Sequence, residues 1–413
     1  MAPGAARDLA DDLIYARRVR LAVYTDYAYH RVGDEVFAER AFALFLGRLA
    51  GELDRLVLVG REAPPTSRAR YAVGAGVELV PLPYYRSLSE PWAVLRASIQ
   101  SMARFWRALR AVDGVWLLGP HPLAIAFAAL AAARRKSVVL GVRQDTRAYV
   151  ESRHPGRRSL RLAAAVLDAV WRGLARRFPV VVVGHEIAAH YARARALLEI
   201  TVSLVEEGDL VPAEVALTRS YAKELRVISV GRLETEKNPL LLADVLARLL
   251  EDGDRWRLTV CGEGAMQPML EDRLRELGVA ERAELAGYVP YGPQLLALYR
   301  DSHALLHVSW TEGVPQVLVE AFAAGLPVVA TDVGGVATAV GDAARLVPPG
   351  DAAAAASELR AIAADRALRE RLVRAGHEHA AARTATAEVK RVADFVRGSS
   401  TGRSTSGLRA QRS

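Results

Sequence analysis

The chain reads Glu312-Gly-Val-Pro-Gln-Val-Leu-Val-Glu320 and continues Ala-Phe-Ala-Ala-Gly325-Leu-Pro-Val-Val-Ala-Thr-Asp-Val-Gly-Gly. Two carboxylates eight positions apart therefore bracket the start of a predicted helix. Glu312 lies in the loop after a predicted strand at Ala304–Val308, and Glu320 lies two turns into the helix that Pro315 opens. The helix ends at Gly325 and leads into a short apolar strand. This arrangement predicts an α/β fold in which two carboxylates hold one polyhydroxylated ligand at two places.

The same stretch resembles the Glu-x7-Glu signature of the retaining glycosyltransferases of group 1, also called family 4, which have a two-domain GT-B fold. The resemblance implies that Glu312 meets hydroxyls of the donor sugar and that Glu320 holds the nucleotide ribose. Ionised carboxylates suit this task because they make the stronger kind of hydrogen bond. Free N–H groups and the helix dipole favour a phosphate at the helix N-terminus. The backbone positions expected near the donor diphosphate are Gly313, Val314, Pro315, Gln316 and Val317. The alternative is that both glutamates are solvated charges at a helix end.

A second match to this family lies upstream, at Gly231-Arg232-Leu-Glu-Thr-Glu-Lys237. The pattern predicts a strand at Val227–Val230, a turn at Gly231 and a helix that Pro239 opens. The resemblance implies that Arg232 and Lys237 neutralise the donor diphosphate. A guanidinium binds phosphate bidentately and an ammonium acts as a point charge, so the two side chains are complementary. In a chain with 55 Lys plus Arg, two exposed basic residues are the alternative.

Two glycine-containing turns are further candidates for contact with a nucleotide. The segment Val-Cys-Gly262-Glu-Gly264 predicts a strand that ends in a tight turn. A dinucleotide-binding fingerprint needs a third glycine where this chain has Gln267, which argues against NAD. The resemblance implies that Gly262 and Gly264 approach the nucleotide and that Tyr288 and Val289 border the base. Simple turn and strand-end roles are the alternative for all four.

Composition limits the class of protein. A chain of 413 residues suits two domains of about 200 residues each, and 51% hydrophobic with 25% charged residues indicates a globular protein. The single cysteine, Cys261, cannot form an internal disulfide, and the N-terminus lacks the order of a signal peptide, which together predict a cytoplasmic location. No His/Cys cluster suggests a metal, and Asp252-Gly-Asp254 favours a turn. We therefore expect no metal or other cofactor, with the nucleotide-sugar as co-substrate.

Arginine carries most of the net charge of +8. No helix-turn-helix, zinc-finger or RNA-recognition signature accompanies it, so no nucleic-acid partner is expected. The segment from Arg157 to Phe178 combines apolar residues at helical spacing with an arginine-rich remainder. Such a helix either lies on an anionic membrane surface, here the inner face of the membrane, or packs on the core with a wet arginine face.

Predicted strands alternate with predicted helices along the whole chain, which indicates parallel sheets covered on both faces. We expect two doubly wound, Rossmann-like α/β domains facing a central cleft, with ligand at the carboxyl ends of the strands. Two of the predicted helices lie at Glu35–Ala50 and Ile187–Leu198. The expected organisation is an acceptor-binding domain at 1–215, a donor-binding domain at 222–380, a crossover helix at 381–398 and a disordered tail at 399–413.

The resemblance is strong over Leu225–Asp351 and weak before it. Many family members carry a histidine after the strand matching Ser137–Val142, where this chain has Arg143-Gln-Asp145. Both charged residues follow a strand end, where they can reach acceptor or donor. His121 ends another predicted strand, and a neutral imidazole there can accept a proton or a sugar hydroxyl. Its alternative role is to cap the start of the following helix.

These features predict a retaining, metal-independent glycosyltransferase of the hexosyltransferase type. It would move a sugar from a nucleotide-sugar to a hydroxyl of a glycan, lipid-linked or small-molecule acceptor, in glycan, glycolipid or cell-envelope biosynthesis. Catalysis would rest on stabilising the departing diphosphate and positioning the acceptor. Two alternatives remain open. One is a catalytically degenerate nucleotide-sugar-binding protein, and the other is an epimerase or phosphorylase on the same fold.

Overall fold

A computed structural model describes residues 19–64, 66, 71–74, 76–84, 91–153, 156–251, 253 and 255–400. The chain forms two compact units. The first comprises residues 1–183, 187–202 and 388–413, and the second comprises residues 184–186 and 203–387. Each unit is an α/β structure built on a mainly parallel sheet, as the alternation of strands and helices predicts.

The first unit is built on nine strands, whose parallel part has the order β5-β3-β1-β6-β7-β8-β9. The strands are β1 Arg20–Val32, β2 Glu35–Ala38, β3 Arg55–Ala63, β4 Tyr71–Ala72, β5 Val77–Leu82, β6 Gly114–Gly119, β7 Ser137–Val142, β8 Val180–Val183 and β9 Leu197–Ile200. The helices in this part of the chain are α1 Phe42–Gly51, α2 Pro91–Ala108, α3 Pro122–Ala133, α4 Thr146–Arg153, α5 Arg158–Ala175 and α6 His185–His190.

One apolar core explains why these elements pack together. Buried Val115 and Leu117 of β6 lie in the same cluster as Phe127 of α3 and Trp171 of α5. The central strands are almost continuous runs of apolar residues, which is typical of parallel strands covered on both faces. Burial of this surface positions the carboxyl ends of β1, β6 and β7 side by side.

The predicted helix at Glu35–Ala50 is wrong in its first part. Strand β1 runs on to Val32, and a two-residue turn that begins with Gly33 leads into the antiparallel strand β2. Gly33 has a φ of +62°, a backbone conformation that glycine adopts without strain. A Gly-Asp pair between two such strands is a hairpin signal, and it outweighs the helical spacing of the apolar residues that follow. Helix α1 therefore begins only at Phe42.

The predicted helix at Ile187–Leu198 is also wrong in its second part. Helix α6 ends at His190, and Leu197–Ile200 forms β9, which pairs in parallel with β8. A four-residue edge strand has little local signal, so its pairing with β8 overrides the propensity of its residues.

The second unit has an all-parallel sheet in the order β12-β11-β10-β13-β14-β15. Its strands are β10 Leu225–Val230, β11 Trp256–Cys261, β12 Ala283–Gly287, β13 Ala304–His307, β14 Val328–Thr331 and β15 Ala344–Val347. Its helices are α7 Ala213–Ala216, α8 Leu240–Leu250, α9 Gln267–Glu276, α10 Pro293–Arg300, α11 Gln316–Ala323, α12 Val336–Val340, α13 Ala352–Ala364 and α14 Arg366–Ala381. One apolar cluster includes α8, α9 and α13, and another includes α10, α11 and α12. This is the doubly wound arrangement that the sequence predicts.

The predicted domain boundary near residues 215–222 lies inside the second unit. Helix α7 packs against Val373 of α14, and Val211 N donates to the carbonyl oxygen of Ala323 at 2.7 Å. These contacts attach the segment that precedes β10 to the second unit, so the division falls before Ser203.

The last described helix, α15, runs from Ala385 to Ser400 and covers most of the predicted crossover helix. Residues 385–387 group with the second unit and residues from Glu388 onward with the first. Ser137 Oγ donates to the carbonyl oxygen of Ser399 at 3.1 Å. The first two residues of the predicted tail are thus helical, and residues 401–413 lie outside the described part of the chain. Within the ranges that the structure describes, no helix has both the length and the apolar content needed to span a bilayer.

Candidate functional site

The carboxyl edge of the second sheet brings the two sequence motifs together. Strand β10 is followed by the loop that contains Arg232 and Lys237, and β13 is followed by the loop that contains Glu312. The two strands are direct neighbours. The strand order reverses between them, because the chain moves outward from β10 to β12 on one side and from β13 to β15 on the other. In doubly wound sheets, this switch point is where ligands bind.

Glu312 lies at the centre of a compact polar cluster. Its Oε1 atom accepts hydrogen bonds from Ser309 Oγ at 2.6 Å and from His307 Nε2 at 2.9 Å, and it also accepts from Lys237 Nζ. All three donors reach the same oxygen, and no other described residue donates to Oε2. The Glu312 side chain is 9% exposed. The carboxylate is therefore held in place through one oxygen, and its other oxygen accepts no hydrogen bond from the described residues.

The cluster keeps Glu312 ionised. Burial by itself raises the pKa of Glu312, but the hydrogen bond from His307 and the positive charge of Lys237 outweigh burial and lower the pKa to about 2. At neutral pH, Glu312 is thus an anion whose hydrogen bonds to hydroxyl groups are of the charge-assisted kind.

Backbone contacts fix the loop that carries Glu312. Trp310 N donates to the carbonyl oxygen of Glu236 at 2.9 Å, which joins the β13 loop to the β10 loop. Thr331 Oγ1, at the end of β14, donates to the carbonyl oxygen of Ser309 at 2.8 Å. A Cβ atom at Gly334 would lie 2.0 Å from the carbonyl oxygen of Glu312. Glycine is therefore required there by the close approach of two backbones.

Arg232 lies at the solvent side of the β10 loop. Its guanidinium pairs with Glu236 at 2.9 Å, and its side chain is about half exposed. Gly231 N donates to the carbonyl oxygen of Cys261 at 3.0 Å. Arg232 is thus in the same loop as Lys237, as predicted, but it does not take part in the Glu312 cluster.

Gly262 and Gly264 serve a close contact between two loops. A Cβ at Gly262 would lie 1.8 Å from the carbonyl oxygen of Gly231, and one at Gly264 would lie 2.2 Å from that of Leu233. The glycines let the β11 loop pack directly on the β10 loop. These contacts are the turn role, one of the two alternatives from the sequence, and contact of the two glycines with a nucleotide stays a prediction.

Tyr288 and Val289 follow β12 at the same edge of the sheet. Tyr288 N donates to Glu263 Oε1 at 3.3 Å, whereas the Val289 side chain is buried in an apolar cluster with Cys261. Tyr288 is half-buried at this edge, and contact of Tyr288 and Val289 with a base stays a prediction.

Helix α11 presents an uncapped N-terminus to the same loops. It begins at Gln316, Pro315 is its N-cap, no side chain accepts from its first N–H groups, and its first turn contains no acidic residue. Gly313–Val317 therefore form a loop and helix start whose dipole and free N–H groups favour an anion.

Glu320 is buried, and its contact with a ribose stays a prediction. It is 5% exposed and lies in the face of α11 that packs on the core. Its Oε2 accepts from the Tyr299 hydroxyl at 2.9 Å. Burial raises the pKa of Glu320 to about 7, and the Tyr299 hydrogen bond opposes that rise. In this conformation, Glu320 shares no described hydrogen bond with the Glu312 cluster.

His121 belongs to the first unit. Its Nδ1 accepts from Leu123 N at 3.3 Å and lies 3.0 Å from the Tyr24 hydroxyl, so it caps helix α3. Its Nε2 lies 3.5 Å from Asp26 Oδ1. Burial lowers the pKa of His121, and the Asp26 charge opposes that effect. The capping role is present, and the imidazole is neutral at pH 7.

Sequence reasoning did not identify His307, Ser309, Thr331 and Tyr299. A signal for the first two was available, because His307-Val-Ser309 places two polar residues at alternate positions where an apolar strand ends. Tyr299 gives no such signal, since a tyrosine in an apolar helix is indistinguishable from core. In the described part of the chain, no group of three or more His, Cys, Asp or Glu side chains could hold a metal ion.

The geometry defines a doubly wound α/β domain whose carboxyl edge carries an uncapped helix N-terminus and an ordered carboxylate. Residues 214–379 match the family model for glycosyl transferases group 1. The second unit thus matches the group 1 glycosyltransferases, and the resemblance seen in its motifs is confirmed.

Three curated relatives agree with that assignment. A glycogen synthase of Mycobacterium tuberculosis is 32% identical over 185 residues, 44% of each chain. A D-inositol 3-phosphate glycosyltransferase of Kribbella flavida is 34% identical over 211 residues, 48% of this chain and 50% of the relative. A phosphatidyl-myo-inositol mannosyltransferase of Mycobacterium leprae is 28% identical over 330 residues, 76% of this chain and 80% of the relative. The chain spans about half the length of the first two relatives.

Solved structures extend the likeness to both units. A sucrose-phosphate synthase from Thermosynechococcus elongatus has a TM-score of 0.67 at 18% identity and covers 92% of this chain and 98% of its own. Anabaena HepE, solved in complex with UDP-glucose, has a TM-score of 0.64 at 17% identity, with coverages of 92% and 99%. These likenesses confirm the predicted two-domain GT-B fold.

Proposed function

We propose that this protein transfers a sugar from a nucleotide-sugar to an acceptor hydroxyl, with retention of anomeric configuration and without an essential metal. The observation that carries the proposal is the ordered Glu312 carboxylate at the switch point of the second sheet, with Lys237 in contact and Arg232 in the same loop. An ionised acceptor for sugar hydroxyls and two cations for a diphosphate are what a nucleotide-sugar requires.

The donor would lie across the β10 and β13 loops. Its diphosphate would face Arg232, Lys237 and the N–H groups at the start of α11, and its sugar hydroxyls would donate to Glu312 Oε2. Lys237 pairs with Glu312, so a diphosphate would share this cation with the carboxylate. The Anabaena structure with UDP-glucose makes the uridine series the first to test.

In the transfer step, the acceptor oxygen would bond to the anomeric carbon while the bond from that carbon to the diphosphate breaks. The acceptor proton leaves with the nucleoside diphosphate. Arg232 and Lys237 would stabilise the negative charge that develops on the leaving group, which is the electrostatic kind of catalysis. Loops held by backbone contacts need little reorganisation for this task.

A thermal-shift panel tests the donor site. UDP, GDP, ADP and their sugar conjugates are compared on wild type, Arg232→Ala and the control Arg226→Ala, whose arginine pairs with Glu224 at the opposite edge of the sheet. One nucleotide series should raise the melting temperature of wild type and the control, and should raise that of Arg232→Ala by less. No shift with any nucleotide would contradict the donor assignment.

Turnover separates a transferase from its alternatives. Wild type should release the nucleoside diphosphate in the presence of EDTA, with the anomeric configuration of the product, read by NMR, equal to that of the donor. Binding without release would indicate a degenerate nucleotide-sugar-binding protein. Conversion of the donor without any acceptor would indicate an epimerase.

We also propose that the first unit binds an anionic membrane surface. Leu162, Val166 and Val170 of α5 form an exposed apolar stripe, with Leu162 67% exposed, whereas Trp171 on the other face is buried. Helix α2 exposes Trp92, Leu95 and Ile99 at similar spacing, with Trp92 81% exposed. Apolar residues flanked by arginines favour the interface of an anionic bilayer.

Flotation with vesicles tests this surface. Wild type should bind vesicles of phosphatidylglycerol and phosphatidylcholine, and less of it should bind as salt rises. Trp92→Asp and Leu162→Asp should not bind, whereas the control Val215→Asp, an exposed valine of the second unit, should bind as wild type does. Equal binding to pure phosphatidylcholine vesicles would contradict the electrostatic part of the proposal.

A further inference from the structure

Arg143 occupies the carboxyl edge of the sheet in the first unit. It directly follows β7, and its guanidinium lies 4.0 Å from the centre of the Phe42 ring in α1. Tyr27 of β1 lies on another side, with its ring centre 5.6 Å away and its hydroxyl in contact with Nη1. Arg143 is thus enclosed by aromatic side chains at an edge where doubly wound folds bind ligands.

The charge of Arg143 has no counter-ion among the described residues. Asp145, two positions later, uses Oδ1 to accept from Arg147 N and Ala148 N at the start of α4, and its Oδ2 lies 3.8 Å from His190. Asp26 pairs with Arg61 at 3.3 Å. The carboxylates near this edge are therefore committed to other partners.

The electrostatic surroundings are positive. Burial lowers the pKa of Arg143, the Tyr27 hydroxyl opposes that effect, and the nearby Arg40 lowers the pKa further. A partly buried cation beside a second cation costs free energy unless an anion compensates both. Proteins keep such groups where a ligand supplies the missing charge.

The geometry leaves the binding edge of the guanidinium unused. Nη1 contacts Tyr27, whereas Nε is buried without a hydrogen-bond partner and no described residue accepts from Nη2. The N–H bonds of Nε and Nη2 point in the same direction, and together they match two oxygens of one phosphate group.

We propose that Arg143, with Arg40 and the Tyr27 hydroxyl, binds a phosphate group of the acceptor. The phosphate site rests on a guanidinium that has no counter-ion among the described residues. That the phosphate belongs to the acceptor rests on the proposed function. The acceptor is then a phosphate ester, either a soluble sugar or polyol phosphate or a lipid whose headgroup carries the phosphate.

The test measures binding of inorganic phosphate and glycerol 1-phosphate by calorimetry on the full chain in chloride buffer. Arg143→Gln should weaken binding about ten-fold to a hundred-fold, because it removes two charge-assisted hydrogen bonds. Arg143→Lys keeps the positive charge but not the two parallel N–H groups of the guanidinium, so its affinity for phosphate should lie between those of wild type and Arg143→Gln. Arg134→Gln is the matched control, since Arg134 also stacks on an aromatic ring, at 3.8 Å from Trp106, and also has an unpaired Nε.

Arg232→Ala separates this site from the donor site. If phosphate binding survives Arg143→Gln and is lost in Arg232→Ala, the inference is overturned while the donor site stands. Vesicles of phosphatidylglycerol form the second arm. If Arg143→Gln loses binding of glycerol 1-phosphate alone, the acceptor is soluble. If it loses binding of vesicles alone, the acceptor is a lipid. Either result supports the inference.

Thermal stability distinguishes a ligand site from a structural role. Arg143→Gln removes an uncompensated charge, so its melting temperature without phosphate should equal or exceed that of wild type. A fall of several degrees, together with unchanged phosphate affinity, would make Arg143 a structural residue and contradict the proposal.

Discussion

The loop before α11 and the core-facing side of α11 hold the two glutamates of one motif in opposite environments. In the loop, Glu312 receives three donors on one oxygen, and its pKa falls to about 2. In the helix, Glu320 receives a hydrogen bond from the Tyr299 hydroxyl and from no other described residue, and its pKa rises to about 7. Two glutamates of one motif can therefore differ in charge at the same pH. Glu312 is ready to accept from a ligand, whereas Glu320 is neutral for part of the time near pH 7.

The largest expected difference between the two glutamates is in how the free energy of unfolding depends on pH. The pKa of Glu320 is higher in the folded state than the unfolded value of 4.5, so the unfolded state releases the proton first as pH rises. The free energy of unfolding should therefore fall by about 3 kcal/mol between pH 4.5 and 7 through this group alone. Urea unfolding of wild type and Glu320→Gln across this range measures the difference.

Glu312 should act with the opposite sign. Its pKa is lower in the folded state, so its contribution is present above pH 4.5 and is lost as pH falls toward 2. Glu312→Gln should therefore show no gain over wild type as pH rises from 4.5 to 7. Parallel pH profiles for the two variants would show that the two environments are alike.

Turnover should depend strongly on the charge of Glu312. Glu312→Gln removes the anion that accepts from sugar hydroxyls and leaves Lys237 without its partner. We expect kcat/KM for the donor to fall by about a hundred-fold. Steady-state release of the nucleoside diphosphate measures it, with Glu358→Gln, which breaks an ion pair with Arg345, as the control. A Glu312→Gln enzyme as active as the control would remove Glu312 from the donor site.

A smaller effect is expected at Arg232. Its pair with Glu236 is exposed and adds little to stability, so Arg232→Ala should unfold at the same urea concentration as wild type. Its kcat/KM should fall by about ten-fold, because a charge-assisted hydrogen bond to the diphosphate is lost. Loss of stability without loss of kcat/KM would reverse this assignment.

The smallest effect is expected at Ser309. Ser309→Ala removes one of the three donors to Glu312 Oε1, a loss of about 1 kcal/mol. We expect the KM for the donor to rise about five-fold while kcat changes less. A matched change at Ser302, which donates to a carbonyl oxygen within its own helix region, should leave both constants as in wild type. An unchanged KM in Ser309→Ala would mean that His307 and Lys237 are enough to hold Glu312 in place.

Much of the fold was predictable because its signals are local. Strands β10, β11 and β14 of the second unit are short, mainly apolar runs with a glycine or proline at one end, and Pro315 and Gly325 bound the region of α11 in sequence before any contact is known. The two errors in the first unit also have local causes. The apolar residues after Gly33 have helical spacing, which hides the hairpin at Gly33. Strand β9 is too short to be distinguished in sequence from the end of a helix.

The candidate site was predictable only as a set of residues. Arg232, Lys237 and Glu312 follow adjacent strands, and their types suit a diphosphate and a sugar. Which of them pair was not predictable, because Lys237 and Glu312 are 75 positions apart. Nor was it predictable that Arg143 finds no counter-ion in the described ranges, since Asp145 is close in sequence but turned toward α4.

The sequence by itself determined the doubly wound class, the family motifs and the identity of the residues at the edge of the second sheet. Periodicity, turn residues and spacing act over a few positions, so they can be read without a structure. The tertiary structure alone decided that Glu312 is anionic, that Glu320 faces the core and that Arg143 has no counter-ion among the described residues. Charge state depends on burial and on partners from distant strands and helices, and folding alone brings those partners together.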